Sequence, residues 1–279
     1  MFYAINYSPQ AAELLRKGQI EIDRFKCPPW PDMVAEAETL RPVAIHFDLR
    51  AGPGNLETSI PWDSIEYFLK ATATAYVNIH LAVRAGEMPH LPADSPLTGG
   101  ERQQVIERLL SDVEAITRRF GAERVIAENV PYHPGYTPNL YATVQPEVIA
   151  AVIRESGCGL LLDISHARIS AHALGMEPKA YLQALPVERL RELHFTGLHD
   201  WGFMLMDHLS VLESDWPWLD WVLEQIRTDG WGRAHMLAFE YGGIGGFFAD
   251  HTETETIARD VPPMYARVKT LPSAGYMQK

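Results

Sequence analysis

Short apolar runs of strand type alternate with amphipathic segments from one end of the chain to the other. The runs at residues 43–49 and 159–164 are almost continuously apolar, which is typical of strands buried on both faces of a parallel sheet. The predicted strands cover residues 2–6, 20–23, 43–49, 76–83, 124–129, 159–164, 192–196 and 235–241.

Helical segments lie between these runs, and two of them begin with clear capping patterns. Ser8 followed by Pro9 predicts a helix start, because serine caps the first turn and proline fits its first position. Thr98 and Glu101 have the spacing of a capping box, which predicts a helix over residues 101–120. Strands alternating with helices predict an α/β fold, and about eight strands predict a single (β/α)₈ TIM barrel that forms one domain over residues 1–279.

The connections at the two ends of the predicted strands differ in length. Those that enter a strand are short, such as residues 121–123, whereas those that leave a strand are long, such as residues 84–100, 130–144 and 197–213. In this type of barrel the long connections all lie at the C-terminal face, where such enzymes build their active sites. We therefore expect the functional site at that face.

The composition narrows the class of protein. The chain has 279 residues, 47% of them hydrophobic and 22% charged, as is usual for a soluble globular enzyme. A formal net charge of −12 repels phosphate backbones and anionic lipids, so we expect neither nucleic acid nor a membrane as partner. Cys27 and Cys158 do not form a CxxC pair, so no thiolate zinc site is expected. The N-terminal residues lack the pattern of a signal peptide, which predicts a cytoplasmic location.

Residues of metal-ligand type interrupt six successive predicted strands. A charged or imidazole group in a buried barrel strand is costly unless it is paired or bound to a metal ion. Hydrogen bonds satisfy most single strand histidines, but one such polar residue on each of six strands is hard to explain by packing. This mixture of nitrogen and oxygen donors suits zinc, iron or manganese. The predicted ligands are His46, His80, Glu128, Asp163, His194 and Glu240.

Further residues are candidates for an additional metal position. His166 follows the aspartate at the end of the 159–164 strand by three residues, within reach of the same cavity. The connection after the seventh strand offers two adjacent pairs, Asp207 with His208 and His199 with Asp200. Either pair could supply ligands or form part of a solvated loop.

Three stretches around these ligands resemble a known family. They are a glycine–cysteine–glycine run into a leucine-rich strand that ends in Asp163, the strand end at Glu128 and Asn129, and the histidine strand around His194. Together they resemble the multinuclear non-heme iron-dependent oxidases, barrel proteins related to the methanobactin-biosynthesis oxidase, over residues 46–240. The chain departs from the family at His166, where asparagine is usual, and at residues 207–208, where the family has an Asp-x-His element.

The resemblance implies an oxidase that uses two or three divalent metal ions, with iron favoured. Its substrate would be a small thiol or a peptide cysteine whose thiolate binds iron. In this family the peptide is usually made by ribosomes and presented by a partner protein. Glu128, Asp163 and His194 are the residues that we expect to carry the chemistry.

The spacing of Asp163 and His166 also resembles the endonuclease IV-like and xylose isomerase-like superfamily, whose nuclease members bind three zinc ions. This second resemblance implies one metal held by His46, His80 and Glu128, a second held by the bridging Glu128 with Asp163, His194 and Glu240, and a third held by His166 with Asp207 or His208.

Other classes of function use the same ligands. A phosphodiesterase would bind zinc or manganese, and a metal-bound hydroxide would attack phosphorus. A sugar isomerase or epimerase would need one or two divalent ions and a suitable base; Lys70 and Lys179 do not lie at strand ends, so no catalytic lysine is evident. A metal-binding or interaction protein on a decayed barrel is the non-enzymatic alternative, and the intact set of six ligands argues against it.

Overall fold

A computed structural model of the chain describes residues 1–228, 230–243 and 245–271. These residues group into two compact units. The first unit contains residues 1–46, 70–74 and 191–271, and the second contains residues 47–69 and 75–190. The single domain over residues 1–279 stays a prediction, and residues 272–279 lie outside the described part of the chain.

Strands and helices alternate along most of the described chain, as the hydrophobic pattern predicts. The strands are β1 (Phe2–Asn6), β2 (Arg24–Cys27), β3 (Val43–Ile45), β4 (Arg50–Ala51), β5 (Val77–Leu81), β6 (Val125–Asn129), β7 (Gly159–Asp163), β8 (Leu190–Phe195), β9 (Gly197–Asp200), β10 (Leu205–Leu209) and β11 (Met236–Phe239). The helices are α1 (Pro9–Arg16), α2 (Pro31–Glu38), α3 (Leu56–Ser59), α4 (Trp62–Ala71), α5 (Gly99–Phe120), α6 (Pro146–Ser156), α7 (Ile164–Ala173), α8 (Pro178–Ala184), α9 (Trp216–Arg227), α10 (Gly246–Asp250) and α11 (Thr254–Lys269). Among the helices described, none has the length and apolar character needed to cross a bilayer.

In the first unit, five parallel strands lie side by side in the order β3-β2-β1-β11-β8. Their register places Lys26 of β2 beside Ala44 of β3. Ala44 belongs to a buried cluster with Ala4, Met236 and Ala238. The three alanines of this cluster have short side chains, which leaves space for the long side chain of Lys26.

In the second unit, four parallel strands follow one another in the order β4-β5-β6-β7. His80 of β5 and Glu128 of β6 are register partners. Side chains alternate between the two faces of a strand, so register partners on parallel strands project from the same face. The parallel pairing in both units confirms the predicted α/β class.

Both predicted helix starts are confirmed. Ser8 Oγ accepts a hydrogen bond from the backbone N–H of Ala11 at 3.1 Å, and Pro9 is the first residue of α1. At the start of α5, Thr98 and Glu101 form the predicted capping box. Such caps satisfy backbone N–H groups that have no partner within the helix.

Two strand predictions need correction. The strand predicted at residues 20–23 is wrong, because the paired segment is Arg24–Cys27. Ile20 and Ile22 are buried outside any strand, and their alternation with polar residues resembles that of a strand. The predicted strand therefore ended before β2, which contains the charged residues Arg24 and Lys26.

Of the strand predicted at residues 43–49 only residues 43–45 form a strand, β3, and β4 begins after the predicted range at Arg50, so His46 follows β3 instead of lying within a strand. The side chain of Asn78 supplies the backbone partners at this break. Its Oδ1 accepts from Phe47 N at 2.7 Å, and its Nδ2 donates to Phe47 O at 3.1 Å. A side-chain amide here replaces regular ladder hydrogen bonds, so the strand is interrupted where its apolar pattern continues.

A buried carboxylate shapes the connection that follows β4. Asp112 of α5 is 1% exposed, and it accepts hydrogen bonds from the backbone N–H groups of Gly52, Gly54 and Leu56 at 2.8, 2.8 and 3.0 Å. A Cβ at Gly52 would lie 2.3 Å from the carbonyl oxygen of Ala82, so this turn requires glycine.

Candidate metal centre

Each unit brings several of the nine predicted ligands together. The second unit holds the carboxylate cluster, which consists of His80, Glu128, Asp163 and His166. The first unit holds the lysine cluster, which consists of Lys26, His46, Glu192, His194 and Glu240. The remaining two predicted ligands, Asp207 and His208, lie on strand β10 of the first unit.

Glu128 lies between two histidines of the carboxylate cluster and is 1% exposed. Its Oε2 lies 3.3 Å from Nε2 of His80, its register partner. Its Oε1 lies 3.7 Å from Nδ1 of His166. One buried carboxylate therefore faces an imidazole on each of its two oxygens.

Asp163 occupies the point where β7 ends and α7 begins. Its Oδ1 caps α7 by accepting from the backbone N–H of His166 at 2.7 Å, and its Oδ2 lies 3.7 Å from Nδ1 of the same residue. Asn129 joins the ends of β6 and β7, because its Nδ2 donates to Asp163 O at 2.9 Å and its Oδ1 accepts from Asp163 N at 3.0 Å. This pair of hydrogen bonds fixes the backbone from which Asp163 and His166 project.

Three of the predicted histidines share one hydrogen-bond pattern. Nδ1 of His80 donates to Leu49 O at 3.0 Å, Nδ1 of His166 to Asn129 O at 2.9 Å, and Nδ1 of His208 to Glu240 O at 2.9 Å. A carbonyl oxygen can only accept, so Nδ1 carries a proton in each case. In the neutral ring Nε2 is then the acceptor, which is the arrangement that metal-binding histidines commonly have.

Lys26 lies at the centre of the lysine cluster and is 3% exposed. Its Nζ lies 2.8 Å from Glu192 Oε1 and 3.4 Å from Glu240 Oε1, and it also contacts Nε2 of His194. Lysine is almost never fully buried unless it is paired. Here it is paired with two buried carboxylates.

His194 is fully buried between the same two carboxylates. Its Nδ1 lies 3.1 Å from Glu240 Oε1, and its Nε2 lies 3.0 Å from Glu192 Oε1. His46 Nδ1 lies 3.9 Å from the same oxygen of Glu240, and the His46 and His194 rings are 5.4 Å apart. Glu240 thus faces two imidazoles, while Glu192 can hold the second ring nitrogen of His194, as carboxylates commonly do for a metal-bound histidine.

The positive and polar groups of this cluster lower the pKa of both of its carboxyl groups. Burial raises the pKa of Glu192, but the nearby Lys26 and His194 outweigh burial and lower this pKa to about 2. Burial opposes the charge of Glu240 in the same way, and His194 with Lys26 holds its pKa well below the ordinary value. Both carboxyl groups are therefore ionised at neutral pH, which is the form that binds metal.

The hairpin formed by β9 and β10 carries Asp207 and His208. His208 has a left-handed backbone with φ of 57°, at the point where the hairpin register shifts between Met206 and Leu209. A non-glycine residue in this region costs roughly 1–3 kcal/mol, and such strain is concentrated at functional sites. Asp207 is 8% exposed, so its carboxylate is buried next to the strained residue.

The other candidate pair on the hairpin has a structural role. His199 Nε2 donates to Ser210 O at 2.7 Å, and Asp200 Oδ1 accepts from Gly202 N at 2.7 Å within the turn. These hydrogen bonds shape the hairpin itself. The structure therefore favours Asp207 and His208 over His199 and Asp200 as the source of further ligands.

The donor set in each unit fits a divalent metal. Imidazole nitrogens and buried carboxylates are the ligands that zinc, iron and manganese share. The shared hydrogen-bond pattern makes Nε2 an acceptor in three histidines, and both carboxyl groups of the lysine cluster are ionised. The nine predicted ligands stay a prediction.

The sequence interpretation missed Lys26 and Glu192. Lys26 was hidden because the strand prediction ended at residue 23, before β2 begins. Glu192 lies in a correctly predicted strand two residues before His194, and the period of two along a strand places both side chains on one face. That spacing is the signal that could have identified Glu192.

Solved structures with the same fold cover nearly the whole chain. The IOLI protein with a bound zinc atom has a TM-score of 0.57 at 17% identity, over 98% of this chain and 100% of that one. D-allulose 3-epimerase from Methylomonas sp. in complex with D-allulose has a TM-score of 0.55 at 12% identity, over 96% of each chain. This likeness shows the fold and confirms the predicted (β/α)₈ barrel.

Curated relatives match shorter parts of the chain. A UPF0276 protein of Anaeromyxobacter sp. (strain Fw109-5) is 31% identical over 137 residues, which are 48% of this chain and 45% of that protein. A UPF0276 protein of Acaryochloris marina (strain MBIC 11017) is 32% identical over 90 residues, which are 32% of each. The chain thus spans less than half the length of these relatives.

The profile of one protein family matches residues 52–230, more than half of the chain. It is described as RiPP precursor modification enzyme MbnB/TglH/ChrH. The matched segment contains seven of the nine predicted ligands, His80, Glu128, Asp163, His166, His194, Asp207 and His208. The chain therefore belongs to the MbnB/TglH/ChrH family of RiPP precursor modification enzymes.

Proposed function

We propose that the protein is a multinuclear non-heme iron oxidase-like enzyme that acts on a cysteine-containing peptide or a small thiol. The observation that carries this proposal is the common orientation of His80, His166 and His208, each with Nδ1–H held by a backbone carbonyl. Bound iron would supply redox and Lewis-acid chemistry to these donors. The description of the family as precursor modification enzymes supports a peptide substrate, which a partner protein would present.

The residues of the chain have distinct roles in this proposal. Glu128 and Asp163 are buried carboxylates that would offset the charge of a bound divalent ion. The carbonyl of Leu49 and the carbonyl and side chain of Asn129 fix the orientation of the ligands around them. Ligands fixed in this way need little reorganisation during a reaction.

Elemental analysis tests the proposal directly. The protein is purified without chelator from iron-supplemented cells, and its visible spectrum is recorded before and after exposure to air. Two or three iron atoms per chain with an oxygen-sensitive band would support the oxidase. Tightly held zinc or manganese without such a band would favour a phosphodiesterase or a sugar isomerase or epimerase, and those substrates would then be screened.

Two histidines of α7 provide a matched pair of variants for the measurement of metal content. His166→Gln removes a predicted ligand and should lower the metal content by about one atom per chain. His172→Gln changes an exposed histidine of the same helix and should leave the metal content unchanged. Equal metal content in both variants would remove His166 from the ligand set.

A further inference from the structure

We propose that Lys26 is the resident counter-ion of the lysine cluster and, through Glu192, a positioning residue for His194. The other described lysines are exposed, whereas Lys26 is 3% exposed and contacts Glu192, Glu240 and His194. Lys26 has this role in the metal-free protein, before a metal ion is bound. It holds for any divalent metal and for any substrate.

The need for a counter-ion follows from the two carboxylates. Glu192 and Glu240 are 6% and 7% exposed, and both lie within 3.1 Å of a nitrogen of His194. Two buried negative charges around one imidazole repel each other and lose their hydration, which is very unfavourable unless a positive charge is present. Lys26 supplies that charge within the chain, at 2.8 and 3.4 Å from the two carboxylates.

The strands beside Lys26 leave room for this arrangement. Its register partners are Ala44 on β3 and Asn6 on β1, and the alanines at positions 4 and 238 belong to the same buried cluster as Ala44. Large side chains at these positions would compete with the four-carbon stem of the lysine for space. The small alanines therefore allow the ammonium group to reach Glu192 on β8 and Glu240 directly after β11 in the same unit.

Glu192 links the charge of Lys26 to the orientation of His194. The same carboxylate oxygen, Oε1, lies 2.8 Å from Lys26 Nζ and 3.0 Å from His194 Nε2. An anchored carboxylate holds the imidazole ring so that Nδ1 faces Glu240. Lys26 thus acts on His194 by fixing its neighbour, in the way that outer groups orient metal ligands.

The test compares Lys26→Met with Lys179→Met, a change of the same side chain at an exposed position. The melting temperature of each protein is measured after chelator treatment and again after loading with Mn²⁺. We expect metal-free Lys26→Met to melt about 6–20 °C below the wild type, and Lys179→Met to melt close to it. Mn²⁺ should recover more of the loss in Lys26→Met than it adds to the wild type, because the divalent ion replaces the missing positive charge.

Where Mn²⁺ stabilises the wild type, a role of Lys26 in packing alone would lower the melting temperature equally with and without Mn²⁺, and that result would overturn the proposal. A metal-free Lys26→Met protein that melts within about 2 °C of the wild type would overturn it as well. If Mn²⁺ stabilises none of the proteins, the metal-dependent function fails instead, and the metal-free double variant Lys26→Met with Glu192→Gln then decides the role of Lys26.

The double variant Lys26→Met with Glu192→Gln covers the case in which Lys26→Met does not fold. Removing Glu192 together with Lys26 takes away one of the two buried carboxylate charges that Lys26→Met leaves without its counter-ion, the nearer of the two. The double variant should therefore be soluble and should melt above Lys26→Met. A double variant that is as unstable as Lys26→Met, or that also fails to fold, would contradict the counter-ion role.

Discussion

The lysine cluster and the carboxylate cluster use similar ligands but balance their charges differently. In the first, Glu192 and Glu240 face an ammonium group. In the second, Glu128 faces the imidazoles of His80 and His166. An imidazole can release its proton near neutral pH, whereas a lysine ammonium keeps its proton in ordinary surroundings. The comparison shows two ways in which buried carboxylates can be kept ready for a metal ion.

The largest expected effect concerns Glu128, the member of the carboxylate cluster that faces two histidines. Glu128→Gln keeps the size of the side chain but removes its charge. If Glu128 bridges two metal ions, the variant should lose metal at two positions, with affinity lowered more than about 100-fold at each. Metal content by elemental analysis measures this loss.

Glu87→Gln is a useful control, because Glu87 pairs with Arg50 in the same unit and is not a predicted ligand. It should retain the full complement of metal. A full complement of metal in Glu128→Gln would contradict the bridging role. It would also show that Glu128 is not needed to hold metal in the carboxylate cluster.

Acidification of the metal-free protein should lower its free energy of unfolding, an effect of intermediate size. The pKa of Glu192 is about 2 in the folded protein, below its ordinary value of 4.5. A carboxyl group with a lowered folded-state pKa contributes stability above its unfolded pKa and loses it as the pH falls through the folded pKa. This contribution should therefore be complete above pH 4.5 and should decline towards pH 2, by about 3 kcal/mol in total.

Chemical unfolding between pH 5 and pH 2.5 measures this decline. Glu192→Gln should show a smaller decline than the wild type over the same interval, because the titrating group is gone. Parallel curves for the two proteins would show that the lysine cluster is not the source of acid sensitivity.

The smallest effect distinguishes the two pairs on the hairpin. His208→Gln should lower the metal content by one atom per chain, if His208 with Asp207 holds the third position. His199→Gln should leave the metal content unchanged and cost about 1 kcal/mol, because it alters one hydrogen bond to Ser210. Metal analysis and thermal unfolding of both variants decide which pair of residues supplies ligands. Loss of metal in His199→Gln would assign the third position to His199 and Asp200 instead.

Much of this arrangement could be predicted from the sequence. The barrel followed from strands that alternate with helices, and the ligand types followed from polar residues in apolar strands such as Glu128 and Asp163. Lys26 could not be predicted in the same way, because the alternation at Ile20 and Ile22 predicted the strand at residues 20–23, and Lys26 fell after its predicted end. The role of Asn78 in breaking the strand before β4 depends on a tertiary hydrogen bond, which no local pattern reveals.

The carboxylate of Asp112 has a consequence for the length of the connection after β4. Surface connections usually tolerate insertions and deletions. Here one side chain receives three backbone amides within five residues, so adding or removing a residue would separate at least one amide from its acceptor. We therefore expect this connection to keep its length in related chains, even where its exposed side chains differ.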